Sequence, residues 1–201
     1  MNESSPGMFA AAGLAGWLAG ARRIVNVTHW ISDVHERRWR TGRLGLWKTR
    51  PFLTSWLVGR AASSCVAPSK TASTMLARSF RVPGRKIHRI PHGVDLIDRP
   101  SGATDASATS LLYLGRLSHE KGLDVLLHAL ARLPAGLAYH LTVAGDGPDA
   151  DRMKTLAGTL NLDDRITWLG FVGDPAPVIA LADVCTAPSR AECFSLTVIE
   201  A

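Results

Sequence analysis

The 201-residue sequence predicts an α/β fold of parallel, doubly wound sheets. Three observations carry that prediction. Short apolar runs rich in Val, Ile, Leu and Ala are mostly continuous rather than alternating, as in strands buried on both faces. Stretches of helical period separate most of these runs, giving a βαβ rhythm. The rhythm breaks once, at residues 98–110, a Ser, Ala, Thr and Asp-rich stretch with no apolar period, which reads as a linker between two halves.

The elements follow in order. Residues 9–18 predict a helix that feeds a strand at 24–28. The apolar stretch from Met8 to Ala21 imitates a secretion signal, but its leader holds Glu3 and no Lys or Arg, and Ala and Gly dilute it. It is also shorter than the roughly 20 apolar residues that a bilayer span needs. A helix at 52–62 leads into a strand at 64–67, a helix at 70–80 and a strand at 87–90. After the linker, strands at 111–115, 141–144, 166–169 and 184–187 alternate with helices at 123–133, 150–160 and 176–182. A last helix begins at Leu196, with Ser195 placed as its N-cap. The sequence stops before that helix completes two turns, and both pieces, about 95 and about 100 residues, are small for doubly wound domains, so both halves are expected to be incomplete.

Composition narrows the class. Apolar residues make up 46% and charged residues 20%, which excludes a disordered chain. The 18 Gly and 11 Pro show no period, which excludes collagen-like and low-complexity chains. Cys65, Cys185 and Cys193 are an odd count without ligand spacing, so a reducing compartment is expected and no metal site. The formal charge of +6 is uneven. Arg37, Arg38, Arg40, Arg43, Lys48 and Arg50 lie together without an acid, interleaved with Trp39 and Trp47 and followed by Phe52 and Trp56. That mixture suits an anionic membrane surface, and equally a solvated basic face over buried tryptophans. No nucleic-acid motif accompanies it, and no nucleic acid partner is expected.

Two segments carry chemistry. Gly115-Arg116-Leu117-Ser118-His119-Glu120-Lys121-Gly122 follows a strand and precedes a helix, where open α/β sheets bind ligands. Its Arg fork and Lys point charge suit a diphosphate, although a plain strand-to-helix turn would also read this way. In the final segment, Glu192 and Glu200 stand eight residues apart around a helix start. Carboxylates on either side of an anion site could bond the hydroxyls at the two ends of a nucleotide-sugar, but the spacing alone favours ordinary surface acids. A third string, Gly145-Asp146-Gly147-Pro148-Asp149-Ala150, fits G-x-G-x-x-A. A dinucleotide site would need an acid at the end of the next strand, and Gly170-Phe171-Val172 holds none.

Taken together, these segments resemble the family 4 (group 1) glycosyltransferases. Gly115 to Gly122 is similar to G-R-L-x-x-E-K-G, and Leu141 to Pro148 to L-x-I-x-G-D/E-G-P. Ile166 to Phe171 resembles V-x-F-x-G-x, and Pro188 to Ala201 resembles the E-x7-E signature, with Ser195 where a Gly is usual. Ile90-Pro91-His92-Gly93-Val94-Asp95 is similar to P-N-G-V-D, with His92 for Asn, and residues 24–29 match a strand ending in Thr-His. The resemblance implies the GT-B architecture of two Rossmann-like domains facing across a cleft. Residues 1–97 would be the C-terminal part of the acceptor-side domain and 98–110 the linker. Residues 111–201 would be the N-terminal part of the donor domain.

The implied activity is hexosyl transfer from a UDP- or GDP-linked sugar to a sugar or lipid-linked acceptor, with retention and without metal or other cofactor. Arg116 and Lys121 would hold the diphosphate. Glu192 would bond the transferred sugar, and backbone N–H groups of Phe194, Ser195 and Leu196 would line its pocket. Glu200 would hold the ribose, Gly170, Phe171 and Val172 would flank the base, and His29 would reach the donor from the opposite domain. The expected location is cytoplasmic, peripheral on the inner face of a membrane. The 201 residues alone are expected to show little turnover. A GT-B nucleotide-sugar epimerase and a non-catalytic binding module are the alternatives.

Overall fold

The computed structural model describes residues 25–27, 62–78, 81–94, 108–190 and 192–201. The predicted helix at 9–18, His29, the basic Trp-rich segment and nearly all of the predicted helix at 52–62 lie outside them. The chain divides into two compact units, Met1–His92 with Glu192–Phe194, and Gly93–Ala191 with Ser195–Ala201.

In the first unit, β1 (Val25–Val27), β2 (Ser64–Ala67) and β3 (Ile87–Arg89) form a parallel sheet in that order. Cys65 and Ala67 alternate inward from β2, and Ala72 and Leu76 of helix α1 (Lys70–Arg78) cover them. Helix α1 starts where it does because the Ser69 hydroxyl accepts the Ala72 N–H at 3.1 Å, which satisfies an otherwise orphaned donor. Burial pushes the Cys65 thiol above its ordinary range, against the pull of nearby Lys86, so it is an inert core group.

The second unit is a four-stranded parallel sheet in the order β6-β5-β4-β7. Its strands are β4 (Thr109–Leu114), β5 (Tyr139–Ala144), β6 (Ile166–Gly170) and β7 (Val184–Thr186). The predicted alternation with helices holds: α2 (Leu123–Leu130), α3 (Ala150–Thr159) and α4 (Ala176–Ala180) connect the strands, and α5 (Leu196–Glu200) follows β7. The continuity of the apolar runs has a direct cause. On β4, Tyr113 packs with Leu123, Leu127, Leu141, Val143 and Met153 on one face of the sheet. Its neighbour Leu112 packs with Ala144, Ile179 and Ala182 on the other. Both faces of β4 are covered, so no polar alternation survives there, whereas β5 places His140 and Thr142 between buried residues.

Element ends differ from the sequence expectation, each for a local reason. Strand β4 begins two residues early, at Thr109, because its N–H bonds the Ala138 carbonyl at 3.0 Å and pairing with β5 starts at once. Helix α2 ends at Leu130 rather than 133, where i→i+3 bonds replace the helical ones and Pro134 disfavours helical backbone before it. Helix α3 closes in a Schellman turn. Asn161 takes the left-handed conformation (φ 55°), its N–H bonds the Gly158 carbonyl, and the Leu162 N–H bonds that of Ala157, both at 3.0 Å.

Leu141 is completely buried at the centre of this core. Leu141→Ala is expected to cost about 2–5 kcal/mol of unfolding free energy, measured by urea titration followed by circular dichroism. Leu181→Ala, at an exposed position, is expected to shift it by less than about 0.5 kcal/mol.

Candidate functional site

The loops at the C-terminal edge of the second sheet are stitched together through their main chains. Gly115 leaves β4 with φ 154°, and its N–H bonds the Ala144 carbonyl at 3.0 Å. Arg116 is exposed, Leu117 is buried, and the Tyr113 hydroxyl donates to the Arg116 carbonyl at 3.1 Å. Leu117 donates to the Asp146 carbonyl at 2.9 Å and accepts from the Asp149 N–H at 3.0 Å, joining the β4 loop to the β5 loop.

Glycine is required at this seam. A side chain on Gly145 (φ 148°) would run into the Gly115 carbonyl, and one on Gly147 would run into the Leu117 backbone. The G-x-G-x-x-A string is therefore explained by loop-on-loop packing rather than by a dinucleotide.

The β4 loop continues through a 3-10 turn, His119–Lys121, to Gly122, which is left-handed (φ 69°) and would meet the Pro188 carbonyl if it had a side chain. Pro188 belongs to the loop after β7. From that loop, the Arg190 guanidinium grips Asp124 of α2 through two bonds of 2.7 Å. It also donates to the His119 carbonyl at 2.8 Å, and the Arg190 N–H bonds the Glu120 carbonyl at 2.8 Å. The Thr186 hydroxyl donates to the Leu112 carbonyl at 2.9 Å, and the Thr197 hydroxyl of α5 to that of Leu114 at 3.2 Å. The first turn of α5 thus meets the end of β4.

The expected site residues fall as follows. Arg116 and half-buried Lys121 share the β4 loop. Gly170 (φ 69°) ends β6 after a bulge that skips Leu169, and its carbonyl accepts the Gly145 N–H at 2.7 Å. Phe171 is 82% exposed beside it, whereas Val172 packs partly into the Leu112 cluster. Half-buried Glu200 lies at the end of α5, and Leu196 is exposed at its start. Ser195 flanks α5 with extended backbone, but its hydroxyl makes no capping bond, contrary to the sequence expectation. The helix start is held instead by Thr197. Glu192, Cys193 and Phe194 belong to the first unit, where the Phe194 ring stands edge-on to His92 at 5.4 Å. His29 lies outside the described residues.

Sequence reasoning missed Arg190, Asp124, Tyr113 and Thr197. Arg190 and Asp124 are 66 residues apart, and only the return of β7 beside β4 brings them together. Among the described residues there is no group of three His, Cys, Asp or Glu that could hold a metal ion.

The Arg190 guanidinium holds the Asp124 carboxyl below its ordinary 3.8, chiefly by hydrogen bonding. A depressed carboxylate stabilises the fold above its unfolded pKa, and that contribution is lost as pH falls through the folded value. The gap in melting temperature between the wild type and Asp124→Asn is therefore expected to be full at pH 7 and to narrow below about pH 3.8. A gap that stays constant down to pH 2.5 or so would exclude ionisation of Asp124 as its source.

Residues 96–201 match the family model described as glycosyl transferases group 1, and residues 4–97 match glycosyltransferase family 4. The D-inositol 3-phosphate glycosyltransferase of Mycolicibacterium gilvum is 30% identical, over 94% of this chain and 46% of its own. The alpha-D-kanosaminyltransferase of Streptomyces kanamyceticus is 26% identical, over 70% of this chain and 40% of its own. This chain thus spans about half the length, or less, of these curated relatives. Among solved structures, Anabaena HepE in complex with UDP and glucose matches 98% of this chain and 54% of its own, with TM-score 0.79 and 21% identity. Sucrose-phosphate synthase from Thermosynechococcus elongatus matches 95% and 51%, with TM-score 0.76 and 23% identity. At these identities the structural likeness concerns the fold.

Proposed function

The chain belongs to the group 1 glycosyltransferases of family 4, and on that premise we propose that residues 111–201 carry the nucleotide-sugar donor site of a hexosyltransferase. The observation that carries this reading is the braced β4 loop, which holds Arg116 and Lys121 at the C-terminal edge of a parallel sheet. A loop sewn to its neighbours can present fixed cations to a diphosphate without reorganising as charge develops on the leaving group. The crystallised complex of HepE with UDP and glucose supports a nucleoside diphosphate as the ligand class.

In this reading, the Arg116 guanidinium binds the diphosphate oxygens as a fork and the Lys121 ammonium as a point charge. Together they stabilise the departing nucleoside diphosphate, so transfer proceeds without a metal; retention at the anomeric carbon is proposed on the family resemblance. Glu200 takes the ribose hydroxyls, and Gly170, Phe171 and Val172 flank the base, with the exposed Phe171 ring available for stacking. Glu192 bonds hydroxyls of the transferred sugar, backbone N–H groups of Phe194, Ser195 and Leu196 line its pocket, and His29 contributes from the acceptor side. The two carboxylates eight residues apart favour transfer over epimerisation of the donor. Residues 98–110 are proposed as the link between the acceptor-side and donor domains.

The acceptor is proposed to be a sugar or lipid-linked molecule, and the protein cytoplasmic and peripheral on a membrane. The support is charge. Beyond the basic Trp-rich segment, the first unit exposes Arg78, Arg81, Arg85 and Arg89. Among the described residues no helix is long and apolar enough to cross a membrane.

Because the chain spans only part of its relatives, binding is a more direct test than turnover. Calorimetric titration with UDP and GDP is expected to show saturable binding that survives EDTA. Arg116→Ala should weaken it about 10–100-fold, the value of one charged hydrogen-bonding group. Glu200→Ala should weaken it about tenfold. Wild-type affinity in a folded Arg116→Ala variant would remove the diphosphate site from this loop.

A further inference from the structure

We propose that Arg190 is a positioning residue: with Asp124 it latches the loop after β7 onto the turn that carries Lys121, and so sets the grip on the diphosphate. The inference rests on the reading of the β4 loop as the diphosphate site. It concerns a residue pair to which that reading gave no part.

The geometry is specific. One residue makes four hydrogen bonds across the seam: two from its guanidinium to the Asp124 carboxylate, one to the His119 carbonyl and one from its N–H to the Glu120 carbonyl. His119 and Glu120 immediately precede Lys121, and Asp124 follows it by three positions. The turn carrying Lys121 is thus held from both sides. On the same turn, Gly122 sits against the Pro188 carbonyl with no room for a side chain, so the two loops meet backbone to backbone.

A 3-10 turn of three residues has weak internal hydrogen bonding and does not hold its own shape. The latch supplies what the turn lacks. The side chains of Arg190 and Asp124 are only 28% and 18% exposed, so water and salt weaken the pair less than an open surface pair. Only a guanidinium can serve a carboxylate with a fork and reach a carbonyl at once. A Lys at this position would lose at least one of these contacts.

Arg190 has few donors left for a ligand. Both Nη1 hydrogens and one on Nη2 are committed to His119 and Asp124. Its effect on a bound diphosphate therefore runs through the position of Lys121 and the cost of ordering the loop on binding.

Two measurements on the whole chain test this. The first is calorimetric titration with UDP and GDP on the wild type, Arg190→Lys, Asp124→Asn and the double variant. The second is hydrogen–deuterium exchange at the Lys121 amide, which bonds the Ser118 carbonyl at 3.0 Å and so reports the turn directly. Each single variant is expected to weaken binding about 5–20-fold, and the double variant no further than the weaker single, since both remove one latch. Exchange at Lys121 should quicken about tenfold or more in all three. Arg116→Ala should weaken binding about 10–100-fold with exchange at Lys121 unchanged.

Unchanged exchange and binding in Asp124→Asn would overturn the latch. So would weak binding in Arg190→Lys beside normal binding in Asp124→Asn, which would make Arg190 a direct ligand. A wild-type chain that binds neither nucleotide would remove the donor-site reading and the latch's part in ligand grip. The exchange measurement would then decide whether the pair orders the turn.

Discussion

The close approach of main chains at one end of the second sheet governs the rest of that unit. Hydrogen bonds run from Leu117 to Asp146, Asp149 to Leu117, Gly145 to Gly170 and Arg190 to Glu120. Each needs two loops at backbone distance, which is available only because Gly122, Gly145 and Gly147 lack side chains. With the seam formed, the four strands end in one connected edge rather than in separate loops. Hydrophobic burial of Leu127, Leu141 and Val143 stabilises the sheet beneath, but it does not dictate where the loops go. The seam does.

The sheet itself was legible from sequence because burial on both faces leaves a mark that one chain can show. Leu112 and Tyr113 go to opposite cores, so neither can be polar, and the apolar run becomes continuous. Element ends were less legible because they depend on local competition. Leu130 yields to a turn ahead of Pro134, and Asn161 takes a left-handed turn that most residues resist.

The candidate site was legible only where it is local in sequence. Arg116 and Lys121 share one short loop and could be read as a pair. Arg190 and Asp124 could not, because a charge pair across 66 residues has no signature in a single sequence. The Ser195 expectation failed for a related reason. A hydroxyl in the right position need not bond the helix it precedes, and here Thr197 ties that helix to the end of β4 instead. The first unit shows the opposite outcome, since Ser69 caps α1 as its type would suggest.

The edge of the second sheet holds two kinds of position close together. At Gly122, Gly145 and Gly147 no side chain fits, while Arg116 and Phe171 reach into solvent from the same set of loops. The first kind is closed to any side chain by the backbone it faces, while the second is sterically free and constrained only by the ligand it would meet. A lineage built on this frame can exchange the chemistry of its rim one residue at a time while the backbone beneath keeps its path. That division lets specificity evolve at this edge without each change having to be repaired elsewhere in the fold.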